Sequence, residues 1–158
     1  MTRWTTLGLL TVLAALSGCG SSLPGDGATQ NNTLKIVFIN QTDVEVDPNF
    51  YLSASNSTTT DLFGNTANMY KNFDGKTTIA AKATVTITLD YDKATTIGSN
   101  LASFGSLLSW TGGKRDDVVV LHEGVDFDHP ESITFTFSKD SQNHYHTTAA
   151  VTPATPSL

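Results

Sequence analysis

All four histidines of this sequence lie in its last third, and acids stand close to most of them. The run His122-Glu123-Gly124-Val125-Asp126-Phe127-Asp128-His129-Pro130-Glu131 holds two of the four. His144 and His146 are two residues apart, as are Asp126 and Asp128, so extended chain would put each pair on one face. Imidazole nitrogens beside carboxylate oxygens suit zinc or another borderline divalent metal. The candidate ligands are His122, Asp126, Asp128, His129, His144 and His146. A hairpin of the Ile133 segment with the Asn143–Ala150 segment could gather some of them at its open end. Their spacing matches no metal signature, and the same residue types are common in turns and on exposed strand faces.

A second set is aromatic. Trp110 and Tyr51, with Tyr70 and Tyr91, could stack on a sugar ring. Trp110 stands before Thr111-Gly112-Gly113, at the end of a strand-like run, where partial exposure is expected. Tyr91 falls on the apolar face of its segment and belongs to the core. Trp110 and Tyr51 are therefore the candidate ligand-binding pair. Asp43, Glu45 and Asp47 alternate as well, and their hard oxygens suit calcium. They lack a glycine-centred calcium loop, and a solvated acidic face that protects a sheet edge accounts for them better. No Gly-x-Ser-x-Gly elbow, His-Glu-x-x-His or phosphate-cradling glycine loop is present, so the chain is not read as an enzyme.

The remaining reactive side chain is Cys19, the only cysteine. Before it stand a head with one positive charge, Met1-Thr2-Arg3-Trp4, and an uncharged apolar run from Leu7 to Leu16. A positive head, a short apolar core and a small-residue exit mark a secretory signal peptide, and the run is too short to span a bilayer. The exit, Leu16-Ser17-Gly18-Cys19, resembles the lipobox of bacterial lipoproteins: a large aliphatic, two small residues and a cysteine. The resemblance covers about the first twenty residues. It implies a diacylglycerol on the Cys19 sulfur and cleavage between Gly18 and Cys19. Each buried acyl methylene contributes roughly 0.8 kcal/mol, so two or three chains hold a protein on a membrane without a transmembrane helix. In that family an Asp after the cysteine retains the protein at the inner membrane; Gly20 here implies the outer membrane where the cell has one. The middle of the chain has a general likeness to β-rich ectodomains of small bacterial lipoproteins, which carries over no functional residue.

The expected organisation follows: signal peptide 1–18, lipidated cysteine and tether 19–33, folded domain 34–150 and a loose tail 151–158. Gly20 to Thr33 is Gly, Ser, Asn and Asp with little apolar content, a coil whose root-mean-square reach is roughly 20 Å. With Cys19 acylated, no thiol is left for a disulfide, a metal or a nucleophile, and the domain must stand on its core. Net charge is −6, and no Lys/Arg cluster extends beyond Lys114-Arg115. Nucleic acid is therefore not an expected partner.

Periodicity predicts strands. Leu34–Asn40 is apolar on both faces. Phe50–Ser55 follows a break at Asp47-Pro48-Asn49. Val85, Ile87, Leu89 and Tyr91 alternate with Thr84, Thr86, Thr88 and Asp90, the strongest pattern in the chain. Asp61–Asp74 fits no template and reads as a long loop packing several anchors, with a helical turn. Ala94–Ile97 and Phe104–Trp110 are weaker runs parted by Gly98-Ser99-Asn100, and Asp117–Leu121 is a β-branched run. Ile133, Phe135 and Phe137 alternate with Thr134, Thr136 and Ser138. A turn at Lys139–Gln142 then leads to a partner strand with Tyr145 facing inward. Short strands, frequent turns and no long helix indicate an all-β antiparallel sandwich of about seven or eight strands, with a compact barrel as the alternative. The whole reads as a lipid-anchored envelope protein, a binding or structural module that meets an envelope protein or a glycan. Capture of a carbohydrate or a divalent metal is the alternative activity, a hydrolase without a recognisable motif comes third, and no cofactor beyond the lipid is implied.

Overall fold

The computed structural model describes residues 32–104, 117–128 and 132–153. Eight strands form two four-stranded sheets. In chain order they are β1 (Thr33–Asn40), β2 (Val46–Ser53), β3 (Met69–Tyr70), β4 (Thr84–Asp90), β5 (Thr96–Phe104), β6 (Val119–His122), β7 (Ser132–Lys139) and β8 (Tyr145–Thr152). One sheet has the order β4-β1-β7-β8 and the other β3-β2-β5-β6. The sheets face each other without closing, so the fold is a β-sandwich and not a barrel.

The alternation in the sequence becomes the inner face. Leu34, Ile36 and Phe38 of β1, Ile87 and Leu89 of β4, and Ile133, Phe135 and Phe137 of β7 are buried. They meet Val46 and Phe50 of β2 and Ile97 and Leu101 of β5. Phe38 is the hub. Its ring meets Phe50 at 4.9 Å and Phe73 at 5.1 Å edge-on, and stacks with Phe135 at 5.9 Å. Thr84, Thr86 and Thr88 lie on the exposed face of β4. Tyr145 is half-buried against the core, as its parity requires, and Tyr91 is buried.

Four local readings are refined. The β7–β8 hairpin forms antiparallel, with Lys139 opposite Tyr145. Pro48 does not end its strand: β2 runs through it, because the β2–β5 ladder shifts register between Asp47 and Pro48. A strand tolerates a missing N–H at such a bulge. Gly98-Ser99-Asn100 is no break either, since β5 passes straight through it between β2 and β6. Finally, β1 pairs with β7 in parallel, while the other pairings are antiparallel. Alternation reports which face is buried and carries no information on strand direction.

The Asp61–Asp74 stretch does pack anchors. A short helix, α1 (Thr59–Gly64), is capped by the Thr58 hydroxyl accepting from the Asp61 N–H and buries Leu62. Further on, Phe73 is buried completely and plugs the core against Phe38.

The two ends of the sandwich differ in what reaches them. At the near end, where the Asn32 carbonyl accepts from the Tyr91 N–H, lie the last residues of β2, β4, β6 and β8 and the first of β1, β5 and β7. The described chain both comes in and leaves there. The far end carries the β1–β2 turn, the Ile79 segment, the β7–β8 turn and the residues leading into β6.

One side chain ties the far end together. Asn40, only 1 % exposed, donates its amide to the carbonyls of Val44 at 2.8 Å, Ile79 at 3.2 Å and Ala80 at 2.9 Å. Its Oδ1 accepts from the N–H and hydroxyl of Thr42. Replacing Asn40 by Ala removes these five contacts and takes the acceptor away from the buried Thr42 N–H, so Asn40→Ala should lower stability by roughly 3 kcal/mol. Urea unfolding should show this as a lower midpoint at unchanged slope.

Candidate functional site

The three described histidines fall into two separate groups, set by the two ends of β6 and of the β7–β8 hairpin. His122 closes β6 at the near end. Its Nε2 lies 3.2 Å from the carbonyl of Ser57 and its Nδ1 3.6 Å from Oδ2 of Asp126. The same Asp126 carboxylate accepts from the His122 backbone N–H at 2.9 Å, closing the turn that leaves β6. Beside it Thr96, fully buried, donates its hydroxyl to the Ser55 carbonyl and accepts from the Ser57 N–H. Together these contacts pin the loop after β2 to the outer face of its sheet.

His144 and His146 are at the far end, around Asp140. The Asp140 Oδ1 accepts from the backbone N–H groups of Gln142 and His144, both at 2.8 Å, the chemistry of an Asx-type turn. Its Oδ2 faces Nε2 of His146 at 3.1 Å and Nδ1 of His144 at 3.6 Å. Across the open side of the sandwich, Oδ1 of Asp117 meets Nδ1 of His146 at 3.3 Å. The His146 ring thus lies between two carboxylates. Bonds first to Asp140 and then to Asp117 hold its pKa above the ordinary imidazole value. The Asp140 carboxyl is held below the usual range, first by the His144 N–H and then by the His146 ring.

The five described members of the expected ligand set therefore do not come together. Asp128 precedes β7 at the hairpin's open end, whereas His144 and His146 sit at its turn, a strand length of about 23 Å away. His122 and Asp126 belong to the near end as well. Among the described residues no three His, Cys, Asp or Glu side chains are placed to hold a metal ion. His129 lies outside the described residues. Sequence reasoning missed Asp117 and Asp140, the partners the structure does supply. Asp140 was legible as a turn residue four before His144; nothing local marks Asp117.

Of the aromatic pair, Trp110 is outside the described residues. Tyr51 is 6 % exposed and lies under Phe63 of α1, ring centroids 4.7 Å apart, so it presents no free face for a sugar. Burial pushes its phenol pKa up. Gly98 makes this cover possible: a Cβ there would stand 2.7 Å from Leu62 and 2.9 Å from Phe63. The acidic trio does not form one strand face, since Asp43 and Glu45 precede β2, and Asp47 within it pairs with Lys71.

No protein family matches this chain, and neither does any curated protein or solved structure. Among the described residues no helix is long and apolar enough to cross a membrane.

Two outcomes test these placements. Gly98→Val should push α1 off the sheet and lower stability by about 1–3 kcal/mol. The Tyr51 phenol should then ionise nearer its ordinary range in an ultraviolet titration. Asp140→Asn keeps an oxygen for the turn but removes the charge. Because the folded Asp140 value is depressed, its stabilisation is present above about pH 4 and lost as pH falls through the folded value. The melting temperatures of Asp140→Asn and the parent should differ at neutral pH and converge in acid.

Proposed function

We propose that this is a lipid-anchored cell-envelope protein whose sandwich serves as a binding or structural module held close to the membrane. The reading rests on Leu16-Ser17-Gly18-Cys19 closing an uncharged apolar run behind a positively charged head. Two features of the domain are consistent with it. The sandwich has a contiguous core that draws on no cysteine, leaving the single thiol free for a lipid. The described chain comes in and leaves at one end of the sandwich, so a tether ahead of Asn32 would join the domain at that end. Gly20 after the cysteine favours the outer membrane in a cell that has one. The physical gain is effective concentration, because a tethered module meets neighbouring envelope components without diffusing away.

Anchoring by lipid is checked by fractionation. The parent chain should partition with membranes and into detergent, and mass spectrometry should find a mature N-terminus at Cys19 carrying acyl chains. Cys19→Ser should appear in the soluble fraction or stay unprocessed. A Cys19→Ser chain that is processed and still membrane-bound overturns the reading.

A further inference from the structure

We propose that His146 is a pH-responsive staple that joins the edges of the two sheets at the far end of the sandwich. The argument is one of donors and acceptors. Asp117 stands two residues before β6, the edge strand of one sheet, and Asp140 stands in the turn leading to β8, the edge strand of the other. The His146 ring reaches both, at 3.3 Å through Nδ1 and 3.1 Å through Nε2. Carboxylates only accept, so both contacts are hydrogen bonds only when both ring nitrogens carry protons. Neutral imidazole has one N–H. On deprotonation one nitrogen presents a lone pair to a carboxylate, and that contact turns repulsive.

Which contact gives way is set by the surroundings. Asp140 is fixed by two backbone N–H groups of its own turn and offers the shorter contact. The neutral ring therefore keeps its proton on Nε2, toward Asp140, and Asp117 is released. Among the described residues the charged groups facing this ring are Asp117 from the residues before β6, and Asp140 and His144 from the β7–β8 turn. The neighbouring Lys139 ammonium lies 5.3 Å from the Tyr145 ring centroid, on the other parity of the hairpin. The ring is partly exposed, with 40 % of its side chain open to solvent, so protons reach it without unfolding. Mildly acidic pH, above the range in which Asp140 takes up a proton, closes the staple, and high pH opens it on the β6 side.

The linkage sign follows from the raised His146 pKa. The staple's stabilisation is full below about pH 6.5 and is lost as pH rises through the higher folded value. The test uses the full-length chain labelled with 15N-histidine in a non-ionic detergent. Both ring nitrogens of His146 should be protonated at about pH 5.5, and its titration midpoint should lie above about 6.5. Asp117→Asn, a surface change remote from the core, should lower that midpoint. Amide exchange at Val119 and Val120, corrected for intrinsic rates, should speed up several-fold above the midpoint in the parent. In His146→Gln it should be independent of pH. The melting-temperature gap between parent and His146→Gln should close as pH rises. An ordinary His146 midpoint unmoved by Asp117→Asn overturns the proposal, and so does a melting gap that stays constant across pH.

Discussion

The contact on which the rest depends is the ring cluster around Phe38. A chain with one cysteine has no internal disulfide, so the sheets are held by what lies between them. Phe38 on one sheet meets Phe50 on the other and Phe135 beside it, and Phe73 is driven in from a connecting loop. Burying each such side chain stabilises by about 1.5–3 kcal/mol, and each well-oriented ring pair adds about 0.5–1.5. The partly exposed ion pairs, such as Lys71 with Asp47 or Lys93 with Asp90, contribute about 0–1 kcal/mol each. Apolar packing therefore decides that the chain folds.

Polar contacts decide something different, namely how the ends are closed. A sandwich leaves backbone groups unpaired where strands stop, and each buried one costs about 1–3 kcal/mol if it stays so. Asn40 meets that demand at the far end by accepting from the buried Thr42 N–H, and it ties two connections together by adding a second donor to three of their carbonyls. Thr96 does so at the near end, taking one donor and one acceptor from the loop after β2. Both are buried polar residues on strands, and both are satisfied.

The sequence revealed faces well and partners badly. Strands β4 and β7 were legible because each carries a strict two-residue alternation, β1 because it is a short apolar run ended by turn residues, and the hairpin because Lys139–Gln142 is turn chemistry. Pro48 and Gly98 misled for one reason: each reads locally as a breaker, while its tertiary setting, a bulge in one case and the cover of α1 in the other, accommodates it. The parallel β1–β7 pairing could not be read, since pattern fixes burial and not direction. The histidine site failed in the same way. Two-residue spacing placed His144 and His146 together, but which end of the hairpin they occupied depended on where the turn fell. That turn put them beside Asp140 and a strand length from Asp128. Asp117 arrives from the opposite sheet, and no local pattern encodes that distance in sequence.

These placements make the two ends chemically unlike. At the near end the loop is held by a threonine hydroxyl and by an imidazole set between a main-chain carbonyl and the carboxylate of its own turn. At the far end the bridge between sheets runs from side chain to side chain through a ring and two carboxylates. The asymmetry needs no second domain. It follows from the direction in which eight short strands enter and leave a single core.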